Sequence, residues 1–519
     1  MKMRPALDSA EASADALVGR IRGGKWWGLA IFVAAVVVIS SAIYLAHAWP
    51  FTERNVIENL ENATSSKVRF RIFKRVYFPH PGCIAEGVIL LRGVGSQNET
   101  KMTVEKLTIE GTIIGLFTKH LALIRAEKAN LTFPAFGTGP RWQPTESEIV
   151  VDELRANDAS VDFSRHNPKQ PQVRFVIHEF VAHHLAAHDP MRFDVRVQNP
   201  TPPGEVRASG SFGPWKIDRV AATPIEGSYS FRDADLGVFG GIHGRLASDG
   251  KFQGTLENIA VQGATTTPDF EVKGSSHKIG LQTNFRVGID PSNGDVSLEQ
   301  VNALVSRTLV ISRGSIARHP NAAAKTASLD LAVHSGRIQD LLLLFVSEKD
   351  SPLHGVVSLK GKTNIPPGDK PFLQKLQMTG DFGIESALFT KAKTQEDLDK
   401  LSAAARGQSD PPEDPENVVS DLQGHVVVKD GTATFTDLSF NVPGAKARLH
   451  GTFNLINHIV DLHGTLFMDA KLHQATSGIK SFLLKAVDPF LKKNRRGGAV
   501  IPVSITGTYQ HPSYKADPI

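Results

Sequence analysis

Cysteine is nearly missing from this chain: Cys83 is the only one in 519 residues. A single thiol excludes an internal disulfide framework and a cysteine-based zinc site. Tryptophan and tyrosine are scarce, five of each, and the 7% aromatic share is mostly Phe. That argues against an aromatic platform for bases or sugars. A dominant charge is missing too. With 58 Lys/Arg against 53 Asp/Glu the net charge is only +5, so no nucleic-acid partner is expected. After residue 49 no apolar run is long enough to span a bilayer, which excludes a polytopic membrane protein. The 41% apolar and 21% charged residues suit a folded chain and not a disordered one.

What is present begins with a membrane segment. Trp26–Trp49 contains no Asp, Glu, Lys or Arg, and its length as a helix is about 36 Å, enough to cross a bilayer. Trp26, Trp27, Tyr44 and Trp49 lie near its two ends, as an aromatic belt would. Arg20, Arg22 and Lys25 precede it and only Arg54 follows closely. The positive-inside rule then makes 1–25 a cytoplasmic tail and 26–49 a single-pass anchor, with the bulk of the chain outside. Ala46-His47-Ala48 resembles a signal-peptidase site, but the apolar run exceeds a signal core, and an uncleaved anchor is the expectation.

Thr52 can cap a short helix with Val56 and Leu60 on one face. Lys67-Val-Arg-Phe-Arg-Ile72 alternates basic and apolar residues and predicts a strand. Its basic side, Lys67, Arg69 and Arg71, would lie close to the membrane and can meet anionic headgroups or stay solvated. From there on, short alternating runs such as Met191–Val197 and Phe252–Leu256, separated by Gly, Pro, Asn and Asp, predict antiparallel sheet. Arg125–Phe133 matches Arg155–Phe163 as R-A-x-x-A-x-[LV]-x-F at an offset of 30 residues, suggesting a sheet built by repetition. Helical stretches are few: Ile338–Glu348, and Thr394–Arg406 stopped by Gly407. The acidic, Pro-rich stretch 409–417 reads as a linker between a β-rich body, 50–408, and a C-terminal β region, 418–519.

In that last region Asp430-Gly431 marks a hairpin. Val460, Leu462, Leu466, Met468 and Leu472 share the apolar face of a long strand, with Thr465 on the other face. Ile479, Phe482, Leu483, Val487, Phe490 and Leu491 follow helical spacing inside an amphipathic helix, 476–493, decorated by lysines. The helix could lie on a membrane or cap the sheet. From Lys471 to Ile519 eight Lys/Arg face two Asp, so the basic character of the chain is concentrated there.

No catalytic constellation is found. His178-Glu179…His183-His184 fails the HExxH spacing; Val173–Leu185 reads as a strand, which would put His178 and His184 on one face and His183 on the other. Gly237–Gly244 fits neither GxGxxG nor a P-loop, and no G-x-S-x-G elbow occurs. No enzyme, cofactor or metal is expected. Large apolar strand faces without reactive groups suggest either a groove that holds something apolar or two faces packed in a sandwich.

Beyond these patterns, Asp421-Leu-Gln-Gly424, Asn441-Val-Pro-Gly-Ala445, Gly451-Thr-Phe-Asn-Leu455, Asp461-Leu-His-Gly464, Lys480–Lys485, Asp488-Pro-Phe490 and Ile501–Thr508 follow in order. This series resembles the C-terminal region of AsmA-like proteins. The anchor, the Thr52 helix and the Arg/Phe strand also look like that family. The resemblance implies an inner-membrane anchor, a periplasmic body and no catalytic motif. It also implies a fold that is mainly β: an elongated repetitive antiparallel sheet curled into an apolar groove, with one N-terminal transmembrane helix and a few short helices. The function it implies is (phospho)lipid transfer or envelope lipid homeostasis between inner and outer membranes, with Val460, Leu462, Leu466, Met468 and Leu472 as groove candidates and membrane lipids as partners. The alternative is a non-catalytic scaffold acting on outer-membrane protein assembly and envelope integrity through contacts with inner- or outer-membrane proteins.

Overall fold

Runs that alternate apolar and polar side chains bury one face only, and here they do so by joining edge to edge into one sheet, of 26 strands among the described residues. The computed structural model describes residues 52–519 apart from 65, 93–99, 113–119, 134–149, 165–171, 187, 201, 240–241, 273–274, 276, 291–294, 319–324, 345–348, 367–371, 408–416, 470–491, 494–498, 509–510 and 517–519. The segment 1–49 therefore lies outside the described residues, as do most of the acidic stretch and all but the end of the expected helix 476–493. Among the described residues no helix is long and apolar enough to cross a membrane.

Helix α1 (Glu53–Thr64) leads into β1 (Lys67–Arg69), β2 (Ile72–Val76), β3 (Gly82–Arg92), β4 (Thr100–Gly111), β5 (His120–Phe133) and β6 (Val150–Phe163). Then come β7 (Val173–Leu185), β8 (Met191–Pro200), β9 (Pro203–Phe212), β10 (Pro224–Asp235), β11 (Ile242–His243), β12 (Arg245–Thr255), β13 (Asn258–Val272) and β14 (Lys278–Asp290). These are followed by β15 (Asp295–Val305), β16 (Thr308–Arg318), β17 (Lys325–Arg337), α2 (Ile338–Leu342), β18 (Leu353–Ile365), α3 (Phe372–Lys375), β19 (Gln377–Phe389) and α4 (Ala392–Ala405). The chain ends through β20 (Ser420–Lys429), β21 (Thr432–Val442), β22 (Ala445–Asn454), β23 (Ile459–Met468), β24 (Lys492–Lys493), β25 (Ala499–Thr508) and β26 (His511–Ala516).

Neighbours in sequence are mostly neighbours in the sheet, and pairing is antiparallel with one exception. β1 and β2 both lie on β3, and β26 lies on β25 at the other end. Among the described residues the first strands do not pair with the last, so the sheet is open. The ladder runs straight through the acidic stretch, since β19 before it pairs with β20 after it. Between β20 and β21 the predicted hairpin is present, with Asp430 and Gly431 at φ +49° and +76°, the left-handed pair that a two-residue turn requires.

The exception is the repeat. β5 and β6 run parallel, with Arg125 opposite Arg155, Ala126 opposite Ala156, Leu131 opposite Val161 and Phe133 opposite Phe163. The offset of 30 residues thus becomes a register in which like meets like. Lys128 and Asp158 both take φ near +50°, so the two copies share the same local break. The Phe133 and Phe163 rings stack at 5.3 Å. Asn130 donates from Nδ2 to Ser160 Oγ at 2.8 Å and to Asp162 Oδ2 at 2.9 Å.

Bulges interrupt the alternation at recurring places: Phe231/Ala234, Thr267/Phe270, Leu298/Val301, Val333/Gly336, Ile384/Ala387 and Phe435/Leu438. Each adds local twist and bends the strand. The backbone amides freed nearby find carboxylates on an adjacent strand. Arg245 N donates to Asp269, Ser386 N to Asp421 and His425 N to Asp437, each at 2.9 Å.

Three expectations need correction. The strand from Lys67 to Ile72 is broken at Phe70–Arg71, where Arg71 lies against Gly87 at φ +62°. Around His178 a bulge between Ile177 and Glu179 upsets simple alternation, so position parity does not place His178 and His184 on one face. Lys492 and Lys493 pair as a short strand on Ala499–Val500 and not as the end of a helix, because the edge of β25 offers them backbone partners.

Asp162 ties β6 to β7: Arg174 Nε and Nη2 reach its two oxygens at 2.7 and 2.9 Å. Burial pushes this carboxyl up, but the hydrogen bonds from Arg174 and Asn130 outweigh it and hold the group below the usual carboxylate value. With the folded value below the unfolded one, the stabilisation is complete above about pH 4 and is lost as pH falls through the folded value. Asp162→Asn should lower stability by roughly 1–3 kcal/mol at neutral pH and remove that part of the acid sensitivity. Urea melts at pH 7 and pH 3 measure both.

A candidate lipid-binding face

One face of the sheet collects the apolar residues of nearly every strand. Cross-strand pairs join it, as in Val301 with Phe285, Phe285 with Gly263, and Val261 with Phe252, with Ser312 between Val301 and Leu331. Along β10 to β19 the two margins of this face are closed. At one margin Ile289, Val296, Ile316, Ala327 and Ile365 are buried together. At the other, Leu236, Ile242, Phe270, Ile279 and Val305 form a second cluster, joined by Leu344 just after α2. The rows between them remain half-buried: Tyr229, Phe252, Val261, Phe285, Val301 and Leu331.

Glycines on this face explain the shape of those rows. A Cβ on Gly227 would meet the Phe252 ring at 2.6 Å, and one on Gly250 would meet the Tyr229 ring at 2.6 Å. A Cβ on Gly263 would come within 2.9 Å of the Tyr229 hydroxyl and 3.1 Å of the Phe285 ring. The rings therefore lie down over glycines of adjacent strands, and Tyr229 stays there with its hydroxyl 3.2 Å from Ser248 Oγ. Rings laid flat make an apolar floor, where upright rings would fill the space above it. The opposite face carries Asn284, Asp330, Lys360 and Lys362, all exposed.

At its two ends the same face is covered. On β3 to β9 the inward residues are buried in one large cluster, with Val56 and Leu60 of α1 packed into it. Cys83 belongs there, and burial pushes its thiol up to about 12. Over β21 to β25 lies α4, whose Leu398, Leu401, Ala404 and Ala405 pack on Leu438, Val442, Leu449 and Ile501. Polar bonds moor this helix: Gln395 Nε2 to the Val418 carbonyl at 2.9 Å, Val418 N to Asp399 Oδ1 at 2.9 Å, and Ser402 Oγ to the Pro443 carbonyl at 2.8 Å.

The residues singled out in sequence fall on this face unevenly. Val460, Leu462, Leu466 and Met468 do share it, opposite Phe453, Gly451, Ala447 and Ala445. Val460 and Leu462 are half-buried, whereas Leu466 and Met468 are sealed in the cluster under α4. Leu472, Ile479, Phe482, Leu483, Val487, Phe490 and Leu491 lie outside the described residues. Lys67 and Arg69 are exposed on β1, with Arg71 just beyond it. The half-buried floor of β10 to β17 was missed. Its signal in the sequence is a glycine two places before an aromatic residue, Gly227-Ser-Tyr229 and Gly250-Lys-Phe252. The histidines carry no metal signature: among the described residues no cluster could hold a metal ion, and His184 faces Asp189 at 3.3 Å.

Compared with known proteins, the chain matches no family model and no curated protein.

Gly250→Val should lift the Tyr229 ring from its seat and press on the Gln262 carbonyl of the next strand, both 2.6 Å from the added Cβ. The expected outcome is a loss of roughly 1–3 kcal/mol in chemical denaturation with the sheet signal in circular dichroism kept. An equal substitution at Gly280, where a Cβ meets nothing within 4 Å, should cost clearly less.

Proposed function

We propose that this chain is a membrane-anchored periplasmic protein that holds lipid acyl chains in a groove along its inner sheet face. In this reading it supports phospholipid transfer or envelope lipid homeostasis between the inner and outer membranes. The observation that carries the proposal is the half-buried apolar floor of Tyr229, Phe252, Val261, Phe285, Val301 and Leu331 between two closed margins. An apolar surface of that kind gains free energy from any chain that displaces its water. Each methylene removed from water contributes about 0.8 kcal/mol, so seating some six of them contributes roughly 5 kcal/mol. No base or metal is needed, and the floor has few groups to distinguish one headgroup from another. The half-buried floor runs from β10 to β17, which at about 4.8 Å per strand is a contour of roughly 35 Å, room for more than one acyl chain. Resemblance to AsmA-like proteins in the C-terminal region supports the same reading.

A second reading, a scaffold for envelope proteins, draws support from the tightly packed face of β3 to β9. The two are separated by a photo-crosslinking amino acid placed at Phe285, with Asn284 on the exposed face as control. Lipid adducts at 285 and none at 284, in intact cells, are expected for the groove. Adducts to protein alone at 285, in a folded chain, would favour the scaffold.

A further inference from the structure

We infer that the first edge of the sheet docks on an anionic bilayer, with the Tyr77-Phe78 loop as its apolar foot and the cations of β1 and β2 as its headgroup contacts. Tyr77 and Phe78, between β2 and β3, are 71% and 87% exposed, more than any other large hydrophobic residue among the described ones. Around them, from Lys67 to His80, stand five Lys/Arg and no Asp/Glu. Aromatic rings at headgroup level and cations on lipid phosphates are the two halves of an interfacial contact. Some of this charge is already engaged, since Lys67 meets Glu61 at 3.3 Å and Lys74 meets Glu86 at 3.8 Å. Arg69 and Arg75 have no carboxylate partner among the described residues.

Two further features select a bilayer over another protein. Among the described residues β1 and β2 pair with no strand but β3, so their far side is a sheet edge, partly closed at β1 by Glu61 of α1, whose Oε1 accepts from Val68 N at 3.0 Å. An edge studded with Lys and Arg repels strand addition, yet suits a soft anionic surface. Position in the chain agrees. The uncharged run Trp26–Trp49 ends shortly before α1, and the 12 residues of α1 cover only about 18 Å. The docking edge is thus the part of the sheet that the expected anchor would hold nearest the membrane. This contact lies outside the floor of the candidate groove and stands or falls without lipid transfer.

The test uses the full chain in vesicles, with an environment-sensitive fluorophore on Phe78→Cys. The native Cys83 is 1% exposed and stays unlabelled in the folded protein. His511→Cys, on the far edge strand, is the control. In phosphatidylcholine vesicles containing one quarter phosphatidylglycerol, the label at 78 should be several-fold less accessible to aqueous iodide than the label at 511. Adding Arg69→Glu and Arg75→Glu should restore access, each lost cation weakening the contact about fivefold. High salt, which leaves these exposed side chains in place, should do the same. A label at 78 as open to iodide as that at 511 in the anionic vesicles would overturn the proposal and leave the loop to a protein partner.

Discussion

The structure depends on one constraint: a single sheet with an apolar face has no second sheet to pack against, so it must hide that face with its own curvature. Among the described residues every strand belongs to the same ladder, and the helices are few and short. The hydrophobic effect drives the curl, and the backbone permits it through bulges that recur from β10 to β21. Near the bulges, at solvent-exposed sites, Asp269, Asp421 and Asp437 accept hydrogen bonds from backbone amides of the adjacent strand. Acidic residues that look like ordinary solvated positions in the sequence are therefore part of how the sheet bends.

Curvature alone closes the face in some places and not in others. Where the inward side chains are large, as on β3 to β9, they meet and seal despite the breaks in alternation at Gly87, Lys128, Asp158 and His178. Where glycines alternate with aromatics, as at Gly250 and Phe252, the rings recline and the surface stays half-buried. Over β21 to β25 a helix supplies the cover that side chains do not. The same face thus changes along the chain from packed core to floor and back to packed core, and side-chain volume and α4 set the boundaries.

Much of the fold was legible because a period of two survives in any strand with one wet face. Met191–Val197 and Val460–Met468 lie in strands, Phe252–Leu256 does so up to Thr255, the Asp430-Gly431 turn is present, and Gly407 follows the end of α4. The repeat at Arg125 and Arg155 was visible as similarity, but its pairing in parallel register was not, since spacing along a chain does not specify direction in space. Bulges at His178 and near Gly87 defeated alternation, as an extra or left-handed residue shifts every later side chain. The burial of Leu466 depends on α4, some 60 residues earlier in the chain, and no local pattern announces such a contact. The floor residues were hidden for a related reason: glycine is read as a turn former, while here it makes room for a ring on the next strand.

The central claim is that the space above the floor belongs to a ligand and not to the protein. Cryo-electron microscopy of the full chain in lipid nanodiscs addresses it directly. The account requires elongated density lying above the flat rings of Tyr229, Phe252 and Phe285, unconnected to any side chain. Rings standing upright and packed against an opposing wall, with no space between, would contradict it.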